Sequence, residues 1–182
     1  MDTIEPDIEK AIGAIRDDKI LVCPTDTVYG LVCDATNKKT LRRLYKIKKR
    51  PPNKPIPVFV SSIKTAKKLA EISQQQEKYL KSVWPGKVTV VLKKKGGGGS
   101  IGLRIPEHPF LLSLLGRLKH PLTGTSANVS GGPASTNIKE VVKQFKDRRY
   151  QPDLFINAGN LPKNKPSKVI DLTIWPPKTL RF

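Results

Sequence analysis

The chain is poor in the residues on which much enzyme chemistry depends. It holds two histidines, His108 and His120, and two cysteines, Cys23 and Cys33, in 182 residues. Two histidines exclude a histidine-rich metal site and leave few partners for a His-dependent triad. The cysteines stand inside apolar runs, without CxxC spacing or further thiols to complete a zinc set, and read as buried and reduced. Aromatic residues make up 6% of the chain, which argues against a platform for stacking single-stranded bases. No apolar run approaches the ~18 residues of a membrane span, and the N-terminal stretch is acidic where a signal peptide would be basic. A soluble, cytoplasmic protein with no membrane association is expected. Phosphate-binding fingerprints are missing too: "PGK" at 85–87 lacks the upstream glycine of a GxxxxGK[ST] loop, "GGGGS" at 96–100 lacks its lysine, and no GxGxxG follows a strand.

Acidic residues are the other shortage. Fifteen of them face 34 lysines and arginines, for a net charge of +19. From Ala35 to Ala70 there is no acidic side chain, against twelve basic ones. Such an excess implies a polyanionic partner. Within it, "YKIKKRPPNKPIPVFV" (45–60) places Lys48, Lys49, Arg50 and Lys54 close together and stiffens the run with four prolines. Proline fixes φ, so the charges lose less freedom when an anion binds.

Length and a 37% hydrophobic content fit one domain over residues 1–182. Apolar periodicity alternates between helix and strand. Ile8, Ala11, Ile12 and Ile15 form a helical stripe, followed by strands in "ILVCP" and "TVYGLVCDA". A helix capped by Thr40 runs through Leu41, Leu44, Tyr45 and Lys48 and must stop before Pro51. "IPVFV" reads as a strand, residues 63–72 and 74–83 as helices, and Val88, Val90 and Leu92 as one face of a strand. "KKKGGGG" (93–99) is expected to be a mobile loop. In "IGLRIP", Ile101, Leu103 and Ile105 face one way, so Arg104 faces the other. "FLLSLLGRL" and residues 137–145 are helical, the second with Asn137 and Glu140 at capping-box spacing. "LFIN", "KVIDLT" and "KTLRF" are strands. This order predicts an α/β fold around a mixed sheet.

The small hydroxylated residues and glycines of "LTGTSANVSGGPAST" (122–136) lead into a helix start, where unpaired N–H groups favour an anion. An ordinary capped loop fits the same letters. Read in order, "PTDTVYGL" (24–31), Lys48-x-Arg50, "IGLRIP" (101–106), Ser126-x-Asn128 and "PSKVIDLT" (166–173) resemble the YrdC-like threonylcarbamoyl-AMP synthase family over nearly the whole chain. The resemblance implies a twisted mixed parallel and antiparallel sheet flanked by helices, with an open basic cavity, in the family's short single-domain form. It implies an enzyme that joins L-threonine, bicarbonate (or CO2) and ATP into threonylcarbamoyl-AMP and pyrophosphate, with Mg²⁺ accompanying ATP. The product would serve the threonylcarbamoyladenosine modification of tRNA through a downstream transfer machinery.

Carried over by position, the nucleotide is expected at Arg50, Lys54, Ser100, Ser126, Asn128, Ser135 and Arg181, with Lys48 completing the signature. Catalysis is assigned to Lys48, Arg50, Ser126 and Asn128, and threonine to Thr27, Arg104 and Ser167. Asp26 and Asp34 are expected near the site, with Mg²⁺ ligands unassigned. Phe59 stands where some relatives carry a polar residue near the threonine. Two other readings remain open. The charge and the helix at 41–50 also fit a non-catalytic module for double-stranded RNA or tRNA, which would not need Thr27, Asn128 or Ser167. A serine hydrolase built on Ser126 lacks GxSxG and a nearby histidine.

Overall fold

Residues 2–181 are described by the computed structural model; Phe182, the end of the expected "KTLRF" strand, lies outside the described residues. Two sheets form where one mixed sheet is expected. The first has five strands in the order β1 (Asp2–Ile4), β9 (Leu154–Ile156), β2 (Leu21–Cys23), β3 (Gly30–Val32) and β8 (Thr125–Ser126). β9 pairs in parallel with β1 and β2, while β3 is antiparallel to β2 and β8. The second has six, in the order β11 (Lys178–Arg181), β10 (Lys168–Asp171), β5 (Val88–Lys93), β6 (Ser100–Arg104), β4 (Val58–Phe59) and β7 (Leu122–Thr123). β10–β5 and β4–β6 are parallel, and the other pairs antiparallel. The small-residue segment expected to be a loop holds β7 and β8, one strand for each sheet, with Gly124 between them.

Helices cover the sheets through three buried clusters. α1 (Ile8–Arg16) and α5 (Pro109–Leu118) bury Ile12, Ile15, Leu111, Leu114 and Leu115 against Leu21 and Ile156 of one sheet and Phe59 and Leu122 of the other. Each such side chain contributes roughly 1.5–3 kcal/mol when fully buried. α2 (Lys38–Lys48) and α6 (Ile138–Phe145) pack Leu44, Ile47, Val141 and Phe145 on Val22, Leu31 and Phe155. α3 (Ile63–Leu69) and α4 (Gln74–Val83) cover Val58, Val90, Leu92 and Leu103.

Several boundaries differ from expectation for local reasons. α2 begins at Lys38 with Asn37 as its cap, the side chain accepting from Lys39 N and Thr40 N, while Thr40 is buried in the first turn. The first turn carries no apolar stripe to mark it. α3 stops at Leu69 because Ala70 is extended and bridges Lys94. At α6, Asn137 caps as expected, but the Glu140 carboxylate accepts from Ser135 Oγ rather than closing a box onto Asn137. The "KKKGGGG" segment closes the β5–β6 hairpin, with Gly96 to Gly99 all at φ between 80° and 99°. That left-handed run is open only to glycine at low cost.

Candidate active site

A cavity of about 590 Å³ opens between the sheets, a size suited to a small-molecule ligand. Lys48, Arg50, Lys54, Arg104 and Arg181 line it, and among the described residues no aspartate or glutamate does. Thr27, Ser100, Ser126, Asn128 and Ser167 also face it. Of the residues expected at the site, Ser135 is the one it leaves out. Ser135 Oγ donates to Glu140 and accepts from Asn137 N at 2.9 Å, so it shapes the start of α6 instead. Asp34 is also elsewhere: its Oδ1 accepts from the Thr36 N–H and hydroxyl at 2.7 Å each and lies 3.5 Å from His120 Nδ1.

Lys48 occupies the last turn of α2, on the face that buries Leu44 and Ile47. The helix therefore turns this ammonium inward, and Lys48 is 2% exposed. Its Nζ donates to Ser126 O at 2.6 Å, Asn128 O at 2.9 Å and Asn128 Oδ1 at 3.2 Å. An ammonium has three hydrogens, so all are engaged. Lys48 O also accepts from Ser130 N at 2.8 Å. Instead of extending a cation toward a ligand, Lys48 fixes the backbone that follows β8. Burial, then the charge of Arg50, pulls its pKa down to about 7.

The Ser126–Asn128 pair completes that scaffold. Ser126 Oγ donates to Asn128 Oδ1 at 2.6 Å, and Asn128 Nδ2 donates to Val129 O at 3.0 Å and Gly132 O at 2.6 Å. Every polar atom of the Asn128 side chain is thus used inside the loop.

Beyond Lys48, the left-handed cap at Lys49 (φ 48°) turns the chain into the proline run. Arg50 then closes it: Nε donates to Lys54 O at 2.8 Å and Nη2 to Pro55 O at 2.9 Å. The prolines and this staple together hold Lys54 at the exposed rim. Arg181, at the end of β11, donates from Nη2 to Ser167 O at 2.6 Å, and burial together with Arg50 lowers its pKa. Ser167 Oγ meets Thr89 Oγ1 at 2.9 Å.

At the other end stands Arg104. Strand alternation buries Leu103 in the core and turns Arg104 onto the cavity face, as the sequence predicts. Its Nε donates to Gly86 O at 2.8 Å, Nη1 approaches Thr27 Oγ1 at 3.5 Å, and the guanidinium lies 5.8 Å over the Phe59 ring. Burial lowers its pKa, and Asp26, paired with it at 2.7 Å, opposes that shift. Thr25 Oγ1 donates to Val28 O at 2.7 Å, so in its contact with Thr27 Oγ1 at 3.0 Å it must accept. That leaves the Thr27 oxygen free to accept from Arg104. The Phe59 ring rests on Gly124, where a Cβ would come within 2.9 Å of it.

Thr89 also lines the cavity, outside the set expected from the sequence, and strand alternation carries a signal for it. The alternation that places Val88, Val90 and Leu92 on the core face puts Thr89 and Val91 on the opposite face, where both line the cavity.

Comparison with known proteins finds relatives over most of the chain. The Sua5, YciO and YrdC family model, described as "Telomere recombination", matches residues 13–182. Threonylcarbamoyl-AMP synthase of Pyrococcus abyssi is 34% identical over 96% of the chain and 53% of its own length, so the chain spans about half of that relative. A solved structure of P. abyssi Sua5 complexed with L-threonine superimposes with a TM-score of 0.88, at 32% identity, over 99% of the chain and 56% of that protein. E. coli YciO superimposes with a TM-score of 0.86, at 26% identity, over 99% of the chain and 93% of YciO.

Proposed function

The chain belongs to the Sua5/YciO/YrdC family, and from that premise we propose that it is an L-threonylcarbamoyladenylate synthase, a nucleotidyltransferase acting on ATP, L-threonine and bicarbonate. One observation carries the reading. Ten of the eleven residues carried over from the family resemblance line one cavity, with an arginine beside a threonine hydroxyl at one end and a stapled basic loop at the other.

The electrostatics support it. Burial, and after it the charge of Arg50, depresses the pKa values of Lys48 and Arg181; at Arg104 burial leads and Arg181 adds a small push in the same direction. These cations repel one another around a cavity without acidic lining, and a triphosphate relieves that repulsion. Arg50, Lys54 and Arg181 are the proposed phosphate contacts, and Ser100 and Ser126 further polar ones. Lys48 and Asn128 shape the loop on which the nucleotide lies. Arg104 receives the amino-acid carboxylate, with Thr27 and Ser167 beside it.

The reaction needs little from side-chain nucleophiles. L-threonine enters as the ammonium; with bicarbonate it gives the carbamate, one water and one proton. A carbamate oxygen then bonds to the α-phosphorus as the bond to the β-phosphate oxygen breaks, and pyrophosphate leaves. Positioning and charge stabilisation are the protein's share. Mg²⁺ is taken to enter with ATP as part of the substrate and to neutralise phosphate charge.

Threonylcarbamoyl-AMP is then proposed to pass to the machinery that transfers it to tRNA, which makes the cytoplasm the proposed compartment. A second reading, binding of tRNA or double-stranded RNA, draws on a surface away from the cavity: Lys46 and Arg149 lie 5.4 and 5.5 Å from the exposed ring of Tyr150. Mass spectrometry of a mixture of the protein, ATP, L-threonine and bicarbonate tests the main reading. The adenylate should be present, and its absence from a folded, ATP-binding protein would refute it.

A further inference from the structure

Three buried side-chain polar atoms lack a hydrogen-bond partner among the described residues: Oδ1 of Asp26, Nη2 of Arg104 and Nδ1 of His108. All belong to one cluster behind the amino-acid end of the cavity. Asp26 Oδ2 lies 2.7 Å from Arg104 Nη2, the two side chains being 5% and 4% exposed. The N–H groups of Nη2 are poorly aligned with that oxygen, so the contact is a close ion pair with an imperfect hydrogen bond. The same Oδ2 accepts from Glu107 N at 3.1 Å. His108 follows Glu107; burial lowers its pKa, and Asp26 opposes the shift.

Native folds leave few buried polar atoms unpaired, and two of these three belong to the Asp26–Arg104 pair. An ion pair this deep contributes little net stability, because desolvation offsets the attraction. What Asp26 does supply is place. Without it, Arg104 would be held at Nε by Gly86 O and otherwise by the long contact to Thr27 and the face of the Phe59 ring, neither of which fixes the guanidinium's rotation about that anchor. Asp26 does not line the cavity, so it acts through Arg104.

We propose that Asp26 is a positioning residue of the amino-acid subsite, fixing the Arg104 guanidinium for an α-amino acid's carboxylate. The proposal rests on the function proposed above. Two accounts of Asp26 predict opposite outcomes. If only its charge matters, Asp26 competes with the substrate carboxylate for Arg104, and Asp26→Asn tightens amino-acid binding. If position matters, Asp26→Asn weakens it, and so does Asp26→Glu, which keeps the charge but moves it by one methylene.

Calorimetric titration of wild type and both variants, with L-threonine and separately with ATP, decides between them. We expect L-threonine affinity to fall by roughly tenfold in each variant while ATP affinity stays within about twofold. Unchanged or tighter L-threonine binding would overturn the proposal, as would a parallel loss of ATP binding. If Asp26→Asn does not fold, Asp26→Glu decides by the same ratio; if neither folds, Asp26 serves stability and the proposal fails. Wild-type protein that binds ATP but no amino acid would remove the proposed function itself.

Discussion

Lys48 Nζ donates to Asn128 Oδ1 at 3.2 Å, and the Ser126 hydroxyl donates to the same oxygen at 2.6 Å. The residues of the two short signatures therefore bind one another, 80 positions apart in the chain. Their contacts build the loop that lines one side of the cavity.

Replacing Lys48 by methionine keeps the shape and removes every donor. Asn128 O then loses its donor, at about 1–3 kcal/mol when nothing relaxes, while Asn128 Oδ1 keeps the Ser126 hydroxyl and Ser126 O keeps Asn128 N. Chemical denaturation should show Lys48→Met destabilised by roughly 1–3 kcal/mol, with nucleotide affinity reduced as well. Lys54→Ala, at an exposed position, should change stability by less than about 0.5 kcal/mol.

A pH dependence follows from the lowered Lys48 value. In the unfolded chain a lysine titrates near 10.4, and in the fold Lys48 titrates at about 7. Between these values the unfolded state holds the extra proton, so this group makes stability rise with pH. Below about 7 both states are protonated and the slope vanishes. The stability difference between wild type and Lys48→Met should therefore be flat below about pH 7 and widen from there toward pH 10. A difference that stays constant across denaturation curves from pH 6 to 10 would contradict the buried, perturbed ammonium.

Much of this was legible beforehand and some was not, for reasons of range. The stripe Ile138, Val141 and Phe145 announces α6 because its apolar period is unambiguous, and all three are buried. Arg104 was placed by alternation alone. β1, β7 and β8 lack the apolar runs that mark the equally short β2, β4 and β9, and pairing with distant strands defines them. The inward turn of Lys48 has a local sign, its spacing from Leu44 and Ile47. Its three acceptors have none, since they arrive from residues 126–128. The fate of Ser135 depended likewise on Glu140 reaching past the expected capping box.

Arg50 both staples its loop and faces the cavity. Arg50→Ala should weaken ATP binding by roughly 1.5–3 kcal/mol, the range for a charged hydrogen bond, while the fold survives. Calorimetric ATP titration of the variant, with its melting curve alongside, checks both halves.

The basic residues of α2 and its cap outside the cavity are not all free. Arg43 is ion-paired with Asp153, leaving Arg42, Lys46 and Lys49 as the outer set. Neutralising these three should leave adenylate synthesis nearly unchanged. If tRNA uses this face, its affinity should fall and the salt slope should decrease by roughly one for each lost phosphate contact. Titrations with tRNA at several salt concentrations measure it.

Gly124→Ala would set a methyl 2.9 Å from the Phe59 ring, so the ring must move, at a cost of about 1–3 kcal/mol. Phe59→Leu in the same chain should restore part of that loss, because the two positions share one space. Thermal melts of the single and double variants give the coupling.

The most direct measurement is pyrophosphate release with each substrate withheld in turn. Release should require ATP, L-threonine and bicarbonate together. L-serine, which lacks one methyl, should be a weaker substrate by about 1–3 kcal/mol rather than an excluded one. Equal release without any amino acid would contradict the assignment of the cavity to L-threonylcarbamoyladenylate synthesis.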